Sequence, residues 1–160
     1  MTVHPIPPVF DKNSKILILG SFPSVKSREA CFFYGHPQNR FWKVVSLIYD
    51  EDVPRTTEEK REFLLRNNIA LWDVIRSCDI EGSSDTSIRN VTANDLSVIL
   101  DEADIKTIYV NGKTADKYYR KYILPVTGVS AICLPSTSPA NAAFNVERLL
   151  AHWSRIRQGD

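Results

Sequence analysis

Two loop segments of this chain carry residue types that could grip a nucleotide. The segment from Gly35 to Trp42 places an amide, a cation and two aromatic rings in one turn that contains glycine and proline. The segment from Leu134 to Asn141 contains a run of hydroxyl side chains in a similar loop context. A loop that can hold a flat ring and a loop that can hold phosphate together indicate one nucleotide site.

Hydrolysis of a nucleoside's glycosidic bond is one reaction that such groups can serve. The base leaves with developing negative charge, the sugar becomes cationic, and a water molecule must be aimed at C1′. A base in a duplex must first be rotated out of the helix and stacked in a pocket, at some cost in free energy. The reaction therefore needs an aromatic platform, an amide that reads the base edge, a group that aims water, and phosphate anchors.

Three consecutive aromatic residues, Phe32, Phe33 and Tyr34, are candidate platforms for the base. Core packing is the alternative role for each, since buried aromatic rings usually pack against other side chains. One face of a strand or helix cannot bury all three, so core packing explains the whole run less well than it explains any single member.

Two asparagines are candidates for the polar roles, and each has a structural alternative. Asn39 could orient water through its carbonyl oxygen, or it could cap the helix that follows. Asn111 could read a base, or it could be a turn residue ahead of Gly112. An amide alone does not decide which base is read, because its neighbours fix its orientation.

Phosphate contacts are expected from hydroxyl and basic side chains. Ser136, Thr137 and Ser138 precede a predicted helix with Pro139 in its first turn, where free N–H groups and hydroxyls favour phosphate, and helix capping is the alternative. The basic candidates, for which solvated surface charges are the alternative, are Lys26, Arg28, Arg40 and Lys113. Structural roles are favoured over catalysis for His36 and Asp73.

The elements that position these loops alternate between strands and helices. Apolar runs predict strands at 15–20, 69–75, 107–111 and 129–134, and periodic or capped segments predict helices at 38–49, 56–67, 92–102, 113–122 and near the C-terminus. This alternation predicts an α/β fold, a three-layer α/β/α sandwich around a central four-stranded parallel sheet. Because ligands bind beyond the carboxyl ends of such strands, the polar segments should converge on one edge.

Composition limits the function classes. We expect residues 1–160 to form a single domain, with the proline-rich segment 1–14 extended along its surface. The three cysteines are widely spaced, which excludes a disulfide framework or a cysteine-based metal site. A secretory leader and a membrane span are not expected, which indicates an intracellular protein. A net charge of +1 gives no general signal for nucleic-acid binding, so that argument depends on local sites.

The polar segments resemble motifs of the uracil-DNA glycosylase superfamily. The resemblance rests on residues 20–24, 34–42, 111–113 and 134–139, and it covers most of the chain. The segment from Gly35 to Trp42 is similar to that of the mismatch-specific uracil- and thymine-DNA glycosylases. The superfamily resemblance implies a four-stranded parallel sheet between helices, in agreement with the predicted alternation.

The sequence departs from the mismatch-specific pattern in three places. Phe22 stands where those enzymes carry the asparagine that aims water. Ser136, Thr137 and Ser138 replace a motif that has a histidine in the most active uracil enzymes, and Ala140 replaces a leucine wedge. This combination resembles the hypoxanthine-DNA glycosylase branch, which implies excision of hypoxanthine with little activity on uracil.

The hypothesis is a monofunctional DNA glycosylase in which the resemblance implies catalytic roles for Asn39 and Asn111. The expected base-binding residues are Ser21, Phe22, Phe33 and Tyr34. The expected DNA-binding residues are Ser24, Lys26, Arg40, Lys113, Ser136, Thr137, Ser138 and Ala140. The partner is double-stranded DNA with a deaminated base, bound by a nucleoid-associated monomer without metal, cofactor or membrane. The alternatives are a mismatch-specific uracil or thymine enzyme, and a non-catalytic binder of damaged or single-stranded nucleic acid.

Overall fold

A parallel sheet of four strands forms the centre of the protein in the computed structural model, which describes residues 1–158. With strands numbered in chain order, their order across the sheet is β3 (Ile69–Asp73), β2 (Ile16–Gly20), β6 (Thr107–Asn111) and β7 (Ala131–Leu134). Both β2 and β3 are buried along their whole length, as expected for short apolar strands in a sheet covered on both faces. The predicted α/β class and four-stranded parallel sheet are confirmed.

Helices surround this sheet. They are α1 (Val25–Ala30), α2 (Phe41–Ile48), α3 (Thr57–Arg66), α4 (Ser97–Leu100), α5 (Lys113–Tyr118), α6 (Leu124–Thr127), α7 (Val146–Trp153) and α8 (Arg155–Gln158). The predicted capping of α3 is confirmed, since the Thr56 hydroxyl accepts a hydrogen bond from the Glu59 backbone N–H across 3.0 Å. Within residues 1–158, no helix combines the length and apolar character needed to cross a membrane.

The sequence interpretation missed a second sheet. Its antiparallel strands are β1 (Thr2–Val3), β4 (Ile75–Asp79) and β5 (Arg89–Ala93), in the order β1, β4, β5. The strand predicted at 69–75 therefore ends early, at Asp73. The helix predicted to start at Thr92 is wrong at its start, because Thr92 pairs with Ser77 in the small sheet. Within the predicted range 92–102, the helix is limited to the short α4. The Asp95 side chain just before it accepts a hydrogen bond from the Ser97 backbone N–H.

The N-terminal segment packs more deeply than expected. Ile6 and Val9 lie in the hydrophobic core, with 2% and 0% of their surface exposed. Val9 exchanges two backbone hydrogen bonds with Leu71 of β3, each 2.9 Å long. The expectation that residues 1–14 only wrap the surface is therefore wrong, because apolar side chains between the prolines anchor the segment against β3. The last two residues of the expected 1–160 domain lie outside the described part of the chain.

Candidate active site

A cleft of about 490 Å³ opens where the strands of the parallel sheet end. Gly20 ends β2, Asp73 ends β3 and Asn111 ends β6, and all three line the cleft. Pockets that hold small organic ligands have volumes of roughly 300–1,000 Å³. The expected site residues that line it are Ser21, Phe22, Ser24, Phe33, Tyr34, Asn39, Asn111, Ser136, Thr137, Ser138 and Ala140. The predicted convergence at one sheet edge is therefore observed.

Asn39, Thr137 and Asn111 form a continuous hydrogen-bond network in this cleft. The Asn111 carbonyl oxygen accepts from the Thr137 backbone N–H across 3.1 Å, and the Asn111 amino group lies 3.0 Å from the Thr137 hydroxyl. The Thr137 hydroxyl donates in turn to Oδ1 of Asn39 across 2.9 Å. Thr137 has no exposed surface, so it connects the two asparagines from inside the protein.

The orientation of the Asn39 amide follows from its partners. Its Oδ1 also accepts from the Phe41 backbone N–H at 2.9 Å, and a backbone N–H can only donate. Oδ1 is therefore held by two donors, whereas no acceptor among residues 1–158 takes the amino group in a hydrogen bond. The end of Asn39 that remains for a ligand is its N–H donor.

Tyr34 is held in a strained backbone conformation at the wall of the cleft. Its φ of 53° lies in the left-handed region, which bulky side chains rarely occupy. Its ring stacks on Phe41, with centroids 4.2 Å apart and planes at 21°. Burial, and next the charge of Asp73, raise the pKa of the Tyr34 hydroxyl far above its ordinary value, while the neighbouring Asn111 amide lowers it. The hydroxyl remains protonated at neutral pH, yet it has no hydrogen bond of good geometry.

The other aromatic candidates divide between core and cleft. Phe32 and Phe33 are 3% and 2% exposed and pack edge to face, with centroids 5.5 Å apart. Phe33 also borders the cleft, as does Phe22, which is 8% exposed. The Arg28 guanidinium lies 5.7 Å from the Phe22 ring centroid. Phe22 is thus an apolar wall at the position where the mismatch-specific pattern would have an amide.

A buried His–Asp pair lies beside the cleft, which Asp73 lines and His4 does not. His4 Nε2 lies 2.7 Å from Oδ2 of Asp73, and their side chains are only 3% and 4% exposed. The strand end beside them requires glycine, because a Cβ on Gly20 would lie 2.3 Å from Oδ1 of Asp73. Gly20 therefore lets the carboxylate approach the backbone of β2.

Arg40 binds protein atoms and does not line the cleft. Its guanidinium donates to the backbone carbonyls of four residues, Thr137, Ser138, Asn141 and Phe144. Its own backbone N–H also donates to the Thr137 carbonyl across 3.1 Å. The side chain therefore fixes the loop that carries the hydroxyl residues, and four of its five N–H groups are engaged in doing so.

That loop does not lead into the expected helix. Residues 135–144 are irregular, with turns only at 139–140 and 142–143, and the next helix, α7, begins after Asn145, whose side chain accepts from the Arg148 backbone N–H. The Ser136 hydroxyl accepts from the Ser138 backbone N–H, and the Ser138 hydroxyl accepts from the Ala140 backbone N–H, each at 3.1 Å. The predicted helix N-terminus at Pro139 is wrong, but both serine hydroxyls keep a proton to donate.

The lining of the cleft is acidic rather than basic. No Lys or Arg side chain is among its lining residues, whereas Asp73 and Asp85 both are. Asp85 accepts a 3.3 Å hydrogen bond from the Ser21 hydroxyl. Its pKa is raised chiefly because neighbouring protein atoms displace water from the carboxyl group. Lys26 and Lys113 are exposed outside the cleft. Phosphate anchoring would therefore depend on groups around the mouth.

Sequence reasoning missed two parts of this site. The loop from Ser83 to Thr86 forms one wall, and it is tied to α1 by a 2.9 Å bond from the Val25 backbone N–H to the Ser83 hydroxyl. His4 had no signal, because its partner Asp73 lies 69 positions away. Asp73 could be found only as a polar residue at a strand end. No cluster of His, Cys, Asp or Glu suited to a metal ion occurs among residues 1–158.

Known proteins are similar to this chain in sequence and in fold. A family model described as the uracil DNA glycosylase superfamily matches residues 7–157. A curated protein named hypoxanthine DNA glycosylase from Methanosarcina barkeri is 40% identical over 137 residues, which cover 84% of this chain and 85% of that protein. A protein of the same name from Methanosarcina acetivorans is 37% identical over 144 residues, with 89% and 90% covered.

A solved structure agrees with these matches. The solution NMR structure of a candidate uracil DNA glycosylase from Methanosarcina acetivorans superposes with a TM-score of 0.81 at 35% identity. The match covers 96% of this chain and 94% of the solved chain. The likeness therefore extends over both the sheet and the loops that form the cleft.

Proposed function

This chain belongs to the uracil DNA glycosylase superfamily, and we propose that it is a monofunctional glycosylase that releases hypoxanthine from double-stranded DNA. DNA glycosylase activity follows from this family and from curated relatives of 37–40% identity over most of the chain. The choice of hypoxanthine rests on the names of those relatives and on Phe22. The non-catalytic binder is no longer needed as an alternative.

The geometry of Asn39 carries the mechanistic part of the proposal. Its carbonyl oxygen is engaged by Phe41 and Thr137, so its amino group faces the substrate as a hydrogen-bond donor. A 6-oxopurine that leaves C1′ gains negative charge on its unprotonated ring nitrogens and on O6, all of which accept hydrogen bonds. A donor held in place before the reaction stabilises that charge more in the transition state than in the ground state. Asn39 would therefore act on the departing base.

The other cleft residues would hold the flipped nucleotide. Asn111 would brace Asn39 through Thr137, since both ends of its amide contact that residue. Phe22, Tyr34 and Phe33 would enclose the flat faces of the base, and Ser21 would contact its rim. An apolar enclosure is suited to a purine ring system, whose stacking area exceeds that of a pyrimidine.

DNA phosphates would be held around the mouth. The Ser136 and Ser138 hydroxyls each keep a proton to donate, and Ala140 lies exposed beside them. Ser24 would present the opposite side of the mouth, with Lys26 and Lys113 supplying exposed positive charge. Arg40 would act indirectly, by fixing the loop that carries the serines.

We propose that the protein acts as a monomer and that it works in the cytoplasm, close to the nucleoid. A deaminated base arises in the chromosome, so the enzyme must reach DNA. The reaction is a hydrolysis that the described side chains can support by orienting groups, and we propose that it proceeds without a cofactor.

A single-turnover assay tests this proposal. Duplexes with one hypoxanthine or one uracil are incubated with excess protein, and abasic sites are then cleaved with alkali. The proposal expects release of hypoxanthine with little release of uracil. Preferential release of uracil would instead assign the chain to the mismatch-specific alternative. Uracil is tested because the similar solved structure is that of a candidate uracil DNA glycosylase.

A further inference from the structure

The inner end of the cleft presents one oxygen of a buried carboxylate whose other oxygen is already occupied. His4 Nε2 lies 2.7 Å from Oδ2 of Asp73, whereas no residue in the described range 1–158 gives a hydrogen bond to Oδ1. Asp73 lines the cleft although the side chain is 4% exposed. Of the two oxygens, Oδ1 is therefore the one that remains to accept from a base in the buried part of the cleft.

A backbone contact determines which nitrogen of the His4 ring faces Asp73 as a donor. The Ile6 backbone N–H donates to Nδ1 of His4 across 3.2 Å, so Nδ1 must carry a lone pair. The proton of the neutral ring is then on Nε2, from which it is donated to Asp73. His4 is held by edge contacts to Phe22 and Trp72, with centroids 5.9 and 6.5 Å away. These contacts fix the orientation of the Asp73 carboxylate, and Oδ1 is left as its available acceptor.

From this arrangement we infer that Asp73 is a specificity-determining residue that accepts the ring N–H of a flipped 6-oxopurine through Oδ1, with His4 as its positioning residue. The inference rests on the proposed function and names how its substrate is chosen. Only the base can enter an enclosed cleft, because the sugar–phosphate backbone must stay at the mouth. A group at the inner end therefore meets the far edge of the base.

The purine bases differ in the hydrogen-bonding groups on the edge that Oδ1 of Asp73 would contact. Hypoxanthine carries N1–H beside C6=O, whereas adenine has a lone pair on N1, which a carboxylate repels. Guanine offers N1–H and a 2-amino group, a pair that a free carboxylate could bind through both oxygens. With Oδ2 engaged by His4, Asp73 offers one acceptor, which matches the single N1–H of hypoxanthine. The pair therefore disfavours both normal purines relative to the deaminated one.

A substitution can reverse the polarity of this group without changing its shape. In Asp73→Asn, the amide oxygen must face His4, because Nε2–H can only donate, and the amide nitrogen then faces the cleft as a donor. A donor opposes N1–H of hypoxanthine and suits an N1 lone pair. The matched substrate is 6-methoxypurine in the same duplex context, which keeps the ring system and the oxygen but has no N1–H.

The experiment measures single-turnover release of both bases by the wild-type protein and by Asp73→Asn, normalised to their uncatalysed acid depurination. The wild type should prefer hypoxanthine by at least about a hundredfold, since a site built around a hydrogen bond rejects an analogue that lacks it. Asp73→Asn should lower that preference by at least about tenfold. His4→Phe, which keeps the ring contacts, should lower hypoxanthine release, and His4→Gln, which keeps an N–H donor, should restore part of it.

Two results would overturn the inference while leaving the proposed function intact. In one, both rates fall equally in Asp73→Asn, as expected for a residue that only activates water or maintains the fold. In the other, the wild type releases 6-methoxypurine as readily as hypoxanthine, a result that needs no variant to fold. Absence of hypoxanthine release by the wild type would instead reject the proposed function itself.

Discussion

The Thr137 hydroxyl donates to Oδ1 of Asn39 across 2.9 Å, and this bond decides which end of the Asn39 amide a substrate can meet. An amide that aims water does so through its oxygen, and here that oxygen already has two donors, Thr137 and the Phe41 backbone N–H. The free amino group is suited to the leaving base. Two substitutions at this position separate the two roles.

We expect Asn39→Asp to abolish most activity without loss of stability. The aspartate keeps an oxygen for Thr137 and Phe41 but has no N–H, and its charge opposes the charge on the departing base. Single-turnover release of hypoxanthine should fall by about 10²-fold or more, the usual effect of removing such a donor. Asn39→Ala should lose a similar factor and also about 1 kcal/mol of stability, because Phe41 N–H and the Thr137 hydroxyl lose their acceptor. An active Asn39→Asp would show that the oxygen performs the chemistry.

Thr137→Val should damage both stability and rate. The substitution keeps the shape of a fully buried side chain but leaves the amino group of Asn111 without its acceptor. A buried polar group that loses its partner costs about 1–3 kcal/mol, which urea unfolding would detect. Glycosylase activity should fall because Asn39 keeps only one of its two donors, the Phe41 backbone N–H. Thr137→Ser keeps the hydroxyl and is the matched control, and equal losses in both variants would argue against the network.

Substitution of Arg40 should change the stability of the protein, whereas substitution of Lys113 should change its affinity for DNA. Arg40→Ala removes four hydrogen bonds to backbone carbonyls and should destabilise the protein by about 2 kcal/mol or more, since bonds from charged donors are among the stronger ones. Lys113→Ala should leave stability nearly unchanged. It should lower the slope of log affinity for DNA against log salt concentration by about 0.9, the value for one phosphate contact.

The reverse pattern would reassign these two residues. A reduced salt slope in Arg40→Ala, with unfolding unchanged, would make Arg40 a phosphate ligand, and an unchanged slope in Lys113→Ala would remove Lys113 from the interface. Lys15, exposed at the opposite end of β2 from the cleft, supplies a matched control for the loss of one positive charge.

Asp85 predicts a specific pH dependence of stability. The pKa of Asp85 is raised, first because neighbouring protein atoms displace water from its carboxyl group. Ionisation is therefore less favourable in the folded than in the unfolded protein. The contribution of Asp85 to stability is therefore fully present below the pKa of the unfolded state and is lost as pH rises through the folded pKa. Asp85→Asn, which resembles the protonated form, should be more stable than the wild type at neutral pH.

The comparison for Asp85 is made by urea unfolding of both proteins from pH 3 to pH 8, a range that reaches below the ordinary Asp pKa of about 3.9. The stability difference should shrink toward zero at the acid end, where the wild-type carboxyl is protonated in both states. A difference that grows as pH falls would mean that the carboxylate is stabilised in the folded protein, with the opposite sign of shift.

The sheet could be predicted because its strands are short apolar runs that few other structures explain. The run at Ile16–Gly20 has no polar residue and is buried throughout. The small sheet escaped prediction because β5 has the opposite character: Arg89–Ala93 is mostly exposed and polar, and its strand state depends on pairing with β4. The local sequence pattern identifies strands whose own residues are apolar and buried. It misses polar strands that form only because they pair with a neighbouring strand.

The site could be predicted as a set of segments but not as a set of contacts. Strand ends identify Asn111 and Asp73 as polar residues at one edge, since parallel strands bring their carboxyl ends together. The engagement of Arg40 with carbonyls 97–104 positions away, and of His4 with Asp73, has no local signature. Likewise, the local pattern allowed Asn39 either a capping or a catalytic role. In the structure Arg40 is the residue that precedes α2, and Asn39 accepts from the Phe41 backbone N–H through Oδ1. Its amino group has no hydrogen bond within residues 1–158.

The central claim is tested most directly by identifying the base that the protein releases. Wild-type protein and Asn39→Asp are each incubated with a duplex that contains one hypoxanthine, and the free bases are quantified by mass spectrometry. We expect the wild type to release hypoxanthine in equal amount to abasic sites, with the strand uncut until alkali is added, and Asn39→Asp to release about 10²-fold less per unit time. Folded wild-type protein that releases no hypoxanthine, or an Asn39→Asp variant as fast as the wild type, would contradict the account.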